Sequence, residues 1–304
     1  MNKKKLFLWA VLGSMVLAGL TACSGDDDTT DTPDDGVRVR RMTITETDNA
    51  AARQVLTRAT LTEADGLSAS WTAGDGLTYC NLSRKNGLTE EIYSGLLTAA
   101  STAATSQFMG DVTCNAGDYL AVVYPAATFV TNESYTISLA GQDGTLETLA
   151  TNYHYVYGKA YVTSVTDKTA DATMERMKSL LTVCKFSFVN KDGGAIVPIK
   201  TLAIAYGGTG SDAGKYPQTA TVAIGAYTAQ TDVHAAGAVG STPLAVTCPS
   251  AQDAVFVALL PTSGPRTFNF TVTDGSGNTY TGTAKATLAE GEYVVAAGLR
   301  LTKQ

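Results

Sequence analysis

Thr267-Phe268-Asn269-Phe270-Thr271-Val272-Thr273 alternates an apolar side chain with a polar one, and Asp274-Gly275-Ser276-Gly277-Asn278 then interrupts the run. A period of two places Phe268, Phe270 and Val272 on one face of a strand and the threonines on the other. The glycine-rich interruption reads as a hairpin turn that feeds a second run over 279–287. The turn also offers oxygens that a calcium ion could use, but two alternating runs joined by a turn account for every residue in it.

Outward from this hairpin the same pattern recurs. Short runs at 68–71, 77–82, 119–124, 135–139 and 153–163 precede others at 181–189, 196–206, 216–224, 254–260 and 293–301, separated by Gly, Asp, Asn and Pro. Composition agrees, with 44% hydrophobic and only 16% charged residues, 29 glycines, and 14 Tyr against 8 Phe. That balance suits strands and turns and excludes both disorder and an all-α chain. The fold class read from it is all-β, as two consecutive β-sandwich domains over 37–168 and 169–304. Residues 167–178 read as a linker with one helical turn. Residues 37–44 read as an early edge strand, with Val37 and Val39 on one side and Met42 and Ile44 on the other unless a bulge intervenes.

The N-terminus carries Lys3, Lys4 and Lys5 before an apolar stretch over 6–20, the form of an export signal too short to span a membrane. It ends in Leu20-Thr21-Ala22-Cys23, which looks like a lipobox, so 1–22 reads as a lipoprotein signal and Cys23 as the lipidated residue. A plain signal peptide with a chance cysteine is the alternative. Residues 23–36, with Asp26-Asp27-Asp28, read as an acidic flexible tether. Such a run resembles the surface-export signal of lipoproteins in some Gram-negative bacteria, and implies a lipid-anchored, surface-exposed protein of the outer membrane.

A net charge of −6 with no basic stripe argues against nucleic acid as a partner. His154 and His234 are the two histidines, and no Ser-His-Asp set, Cys-His dyad or carboxylate pair emerges from spacing. No enzymatic activity, cofactor or metal is expected. Gly208-Thr209-Gly210-Ser211-Asp212-Ala213-Gly214-Lys215 fails as a phosphate loop, because Tyr216 stands where Ser or Thr should ligate magnesium and no helix pattern follows. Cys80, Cys114, Cys184 and Cys248 include no CxxC pair. They read either as disulfides of an exported protein or as buried thiols, and the phase of Cys184 with Phe186 and Phe188 favours the second. Tyr153, Tyr155, Tyr157 and Tyr161 share one strand parity. Such a row is commonly packing between sheets, and if exposed it is a platform for a glycan or a host protein.

Several motifs, in order along the chain, resemble the fimbrillins, the type V pilins and their relatives. In the first half these are Arg58-Ala59-Thr60-Leu61, Trp71-Thr72-Ala73-Gly74-Asp75, Phe108-Met109-Gly110 and Ala121-Val122-Val123-Tyr124-Pro125. In the second they are Met177-Lys178-Ser179-Leu180-Leu181 running into Phe186-Ser187-Phe188, Phe256-Val257-Ala258-Leu259-Leu260-Pro261, and Leu288-Ala289-Glu290-Gly291-Glu292-Tyr293. The resemblance implies two transthyretin-like domains and export as a lipoprotein. It also implies a cut after an arginine that releases the first strand, leaving a groove for a neighbouring pilin subunit's strand. Arg53 and Arg58 are the candidate cut sites, lying in a polar, small-residue stretch over 49–60; both also read as ordinary surface charges.

Tyr293, Val295, Ala297, Leu299 and Leu301 share one parity and are followed by Thr302-Lys303-Gln304. This matches a closing domain strand without an appended donor segment, so a strand-accepting, tip-type subunit is expected. For the anchor, Cys23→Ala should release the protein from the membrane fraction or block its maturation, as read by fractionation and acyl labelling. Unchanged acyl labelling in that variant would exclude Cys23 as the lipid site.

Overall fold

The computed structural model describes residues 38–47, 60–63, 67–85, 92–129, 131–238 and 240–304. The first half runs β1 (Arg38–Thr47), β2 (Thr60–Glu63), β3 (Leu67–Ser70), β4 (Gly76–Lys85), β5 (Ile92–Ala99), β6 (Gln107–Cys114), β7 (Tyr119–Tyr124) and β8 (Ser134–Ser138). A short helix α1 (Leu146–Thr148) continues as a π-helical turn, Leu149–Tyr153, before β9 (Val156–Val165), β10 (Thr169–Glu175) and β11 (Lys178–Ser179). The second half runs β12 (Thr182–Asn190), β13 (Ile199–Tyr206), β14 (Thr219–Ala223), β15 (Ala235–Gly237), β16 (Leu244–Gln252), β17 (Val255–Leu259), β18 (Arg266–Asp274), β19 (Thr279–Ala286) and β20 (Tyr293–Lys303). The chain is all-β.

An eight-stranded sheet, β10-β1-β6-β5-β4-β7-β9-β11, closes on itself because β10 also pairs with β9. Alternation explains its interior. Phe108, Val112 and Cys114 of β6, Ala160 and Val162 of β9, and Ala170, Ala172 and Met174 of β10 all point into the ring. Trp71 fills its middle with no exposed surface, edge-on to Phe108 at 5.0 Å and to Tyr124 at 5.6 Å. Gly110 is forced by proximity: a Cβ there would lie 2.4 Å from the Leu96 carbonyl oxygen, where β5 and β6 approach.

The second sheet, β16-β13-β18-β19-β20-β12-β17, folds over into two leaves. Phe186 and Phe188 of β12 meet Phe270 of β18 across the fold, at 5.3 and 5.6 Å between ring centroids. β16 holds Pro249 on the sheet's edge, where a missing N–H breaks no ladder. The hairpin at 274–278 forms as its sequence suggests. Asp274 Oδ1 accepts the Ser276 and Asn278 amides at 2.8 and 2.9 Å, and Oδ2 accepts Asn278 Nδ2 at 2.8 Å. Those hydrogen bonds, led by the Asn278 side chain, hold the Asp274 carboxyl below its ordinary range.

The two sheets are locked together. β8 pairs with β14 from the other half, and buried Gln142 bonds both the carbonyl (3.0 Å) and the amide (2.7 Å) of Ala258. Glu63 of β2 reaches Lys185 of β12 at 2.7 Å and also accepts the Tyr293 hydroxyl. One apolar core runs from Leu61, Leu82, Val123 and Tyr157 of the first half to Phe188, Ile204 and Leu259 of the second.

Several expectations change against this frame. β1 is an inner strand between β6 and β10, not an edge strand, and carries no bulge. Without a bulge the expected opposition holds, with Val39 facing solvent at 65% exposure and Met42 and Ile44 fully buried. Residues 169–175, placed after the expected boundary at 168, form a strand of the first sheet, and 174–178 hold no helical turn. β20 does not keep one parity. Gly298, at φ +63°, lies beside a register shift between Phe186 and Phe188, so Val294 and Ala296 turn inward before it and Leu301 after it. Val295 is left 56% exposed.

Trp71→Ala should lower stability by about 3–5 kcal/mol, read as a shifted midpoint in urea unfolding followed by circular dichroism. A loss under about 1 kcal/mol would mean that the ring does not depend on this indole.

Candidate functional site

β1, like the other strands that close the ring, is held on both edges. It pairs parallel with β10 from Arg41↔Thr169 to Thr47↔Glu175, and antiparallel with β6 from Arg38↔Cys114 to Thr45↔Gln107. Its inward positions are Arg40, Met42, Ile44 and Glu46, all buried. Met42 and Ile44 are apolar and together fill the slot, each contributing about 1.5–3 kcal/mol if burial is complete.

The two ends of the slot are polar. Arg40 Nε donates to the Thr166 carbonyl at 2.7 Å, and Nη1 donates to the carbonyl of Cys114 and to Asn115 Oδ1 at 3.2 Å. At the other end Glu46 Oε1 accepts the Met177 amide at 3.1 Å, and Thr47 Oγ1 donates to the Met174 carbonyl at 3.1 Å. These groups bond carbonyls of Thr166, Cys114 and Met174 and the Met177 amide. Behind them, Asp118 is buried and accepts Arg84 Nε at 2.7 Å and Asn81 Nδ2 at 2.9 Å, which fixes the turn that carries Asn115. Sequence reasoning missed Arg40 and Glu46. Their signal was the shared parity of residues 40, 42, 44 and 46, masked by the apolar Val39 on the opposite face.

Cys23, Arg53 and Arg58 lie outside the described residues. The four tyrosines do not form one face. Tyr153 ends the π-helical turn and donates to the Ala140 carbonyl at 2.8 Å, and Tyr155 donates to the Ser138 carbonyl at 3.1 Å just before β9 begins. Tyr157 is fully buried between the sheets, which removes it from any surface platform. Tyr161 alone is substantially exposed, at 43%. Parity failed as a guide because the chain becomes extended only at Val156.

Cys80, Cys114, Cys184 and Cys248 are buried and unpaired. Burial pushes the Cys80 and Cys184 thiols up to about 12, and Cys114 up to about 11 despite the opposing pull of Arg40. Cys114 ends β6 on the inner face, opposite Arg38 of β1. A buried thiol with a raised pKa stays protonated near neutrality and does not attack an electrophile. At pH 8 the folded chain should therefore resist iodoacetamide and take up label at these cysteines only in urea, as counted by mass spectrometry. Rapid alkylation of Cys114 in the folded chain would show that the slot is already open.

No protein-family model matches the chain, and no curated protein matches it. Among solved structures, a candidate cell adhesion protein from Bacteroides uniformis superposes with a TM-score of 0.50 at 15% identity, over 90% of this chain and 98% of that one. A candidate adhesin from Bacteroides ovatus gives a TM-score of 0.37 at 8% identity, over 88% of each chain. The shaft pilin SpaA from Lactobacillus rhamnosus GG gives 0.35 at 7% identity, over 88% of this chain and 97% of that one. At such identity the first likeness speaks to fold, and it places this chain in the same all-β architecture as the candidate Bacteroides cell adhesion protein.

Proposed function

We propose that the chain is a strand-accepting, tip-type subunit of an adhesive surface fibre, structural rather than enzymatic, exported as an outer-membrane lipoprotein through Cys23. Cleavage after Arg53 or Arg58 frees β1, and a strand from another pilin subunit takes its place. The observation that carries this reading is the two-edged pairing of β1 in a closed ring. Loss of β1 leaves the backbone groups of β6 and β10 without partners above an apolar floor, and such an opening is refilled most cheaply by another strand. Two further features support it. The chain shares a fold with a candidate cell adhesion protein, and β20 is tied into its own body by parallel pairing with β12 from Val183↔Tyr293 to Asn190↔Leu301. Donating β20 would open the second sheet, so the chain acts as an acceptor.

Digestion of the purified chain with an arginine-specific protease, followed by incubation with a fluorescent peptide of residues 38–47, tests the exchange. Cut protein should bind the peptide and uncut protein should not. Cys114 should become alkylatable after the cut and protected again by the peptide, while Cys184 stays inert throughout. A peptide with Met42→Asp and Ile44→Asp should fail to bind. Absence of cleavage at both arginines, or a cut protein that takes up no peptide, would overturn the reading.

A further inference from the structure

A second site lies on the outer face of the ring, away from the apolar floor of the slot. Tyr119 of β7 and Tyr161 of β9 are direct cross-strand partners, their rings 5.2 Å apart and tilted by 48°. Lys159 precedes Tyr161 by one turn of the pleat, and Glu175 stands on β10 opposite Thr47. The facing wall comes from the second half of the chain. Gln230 accepts the Lys159 amide at 2.8 Å and donates to the Arg176 carbonyl at 2.7 Å. Lys159 Nζ donates to the Ala226 carbonyl at 2.6 Å and the Thr228 carbonyl at 2.8 Å, and lies 4.4 Å from the centre of the Tyr119 ring. Between these walls is an open cleft of about 610 Å³, a volume typical of small-ligand sites.

The groups left available define the ligand. Tyr161 is 43% exposed, and neither its hydroxyl nor that of Tyr119 makes a hydrogen bond among the described residues. The Glu175 carboxylate is exposed and makes no hydrogen bond or ion pair among them either. An aromatic ring with a free hydroxyl offers an apolar face and a polar edge together, which is the complement of a pyranose, whose C–H face is apolar and whose rim is hydroxyl. An ionised carboxylate accepts two hydroxyl donors at once. An anionic ligand fits badly, because Glu175 repels it and the Lys159 ammonium is already held by two carbonyls and a π-face. A peptide strand fits no better, since β9 and β10 have a pairing partner on each side and present no open edge.

We propose that this cleft binds a neutral glycan, with one hexopyranose ring lying on Tyr161 and its hydroxyls bonded to Glu175 and the Tyr119 hydroxyl. The site gives the adhesive part of the function above a ligand class, and it does not require strand exchange. Thr47, the β1 residue at its edge, already spends its hydroxyl on the Met174 carbonyl. The sequence row of tyrosines pointed to one member of the site, Tyr161, and paired it with the wrong neighbours. Its true partner, Tyr119, comes from an adjacent strand.

The test uses the uncut full chain in detergent, so that failure of strand exchange leaves it unaffected. The labelled protein is applied to an array of neutral glycans and their sialylated counterparts, and the strongest neutral hit is titrated by calorimetry. Binding should favour neutral glycans, fall at least tenfold in Tyr161→Ala and several-fold in Glu175→Gln, and survive in large part in Tyr161→Phe, which keeps the ring. Thermal unfolding should show each variant still cooperatively folded, with Tyr161→Phe and Glu175→Gln close to the parent and Tyr161→Ala lowered only by loss of its ring contact with Tyr119. Binding to no neutral glycan, a preference for sialylated glycans, or binding indifferent to Tyr161→Ala in a folded variant would each overturn the proposal.

Discussion

A strand with neighbours on both sides must satisfy backbone donors and acceptors along two edges, and β1 does so without interruption by a bulge. The closure of the first sheet follows from this. Without β1 the remaining strands form an open sheet with β6 near one rim and β10 at the other, and the interior around Trp71 and Phe108 loses its lid of Met42 and Ile44. In most open sheets exposed edges are shielded by charge, twist or a covering loop. Here the shield is the chain's own first strand, joined to β2 only through residues 48–59.

The second sheet keeps the ring from being an independent body. Glu63, the excursion that contains β8 and Gln142, and the loop gripped by Lys159 each cross from one half to the other. The outer face of β4, β7 and β9, which in an isolated ring would meet water, buries Cys80, Val123 and Tyr157 in a core shared with β12 and β13. Loss of β1 therefore need not unfold the rest of the chain. Removing it uncovers a groove on a scaffold that the second sheet continues to brace.

Legibility in the sequence followed side-chain chemistry. β7, β12 and β18 are rich in Val, Phe and Tyr, and their limits were readable within a residue or two. β10 was not, although Thr169-Ala170-Asp171-Ala172-Thr173-Met174-Glu175 alternates without a fault. Its inward residues are alanines and a methionine, which carry little strand preference, and the charged residues around them suggested a linker. β5 placed Leu96 and Leu97 side by side, one exposed and one buried, which hides the period. β16 was obscured by Pro249, a residue compatible with a strand only at an edge, and edge position is a tertiary fact. The cleft was illegible for a similar reason: Tyr119, Lys159, Glu175 and Gln230 come from separate elements and share no spacing.

The polar ends of the slot also decide which strand can fill it. A shift of one residue in β1 would turn Val39, Arg41, Thr43 and Thr45 inward, replacing the apolar floor contacts with a guanidinium and two hydroxyls. A shift of two residues keeps the parity but drives Arg40 or Glu46 into the apolar centre, where an unpaired charge is far more costly than the methionine or isoleucine it displaces. Register is thus set by the mismatch of wrong alignments as much as by the fit of the right one. The same rule bears on any incoming strand: it needs apolar side chains at the two central inward positions, and polar ones at the ends able to answer the Thr166 and Cys114 carbonyls and the Met177 amide. A strand of alternating hydrophobicity alone meets the first condition and fails the second, leaving buried backbone groups unbonded at both mouths of the slot.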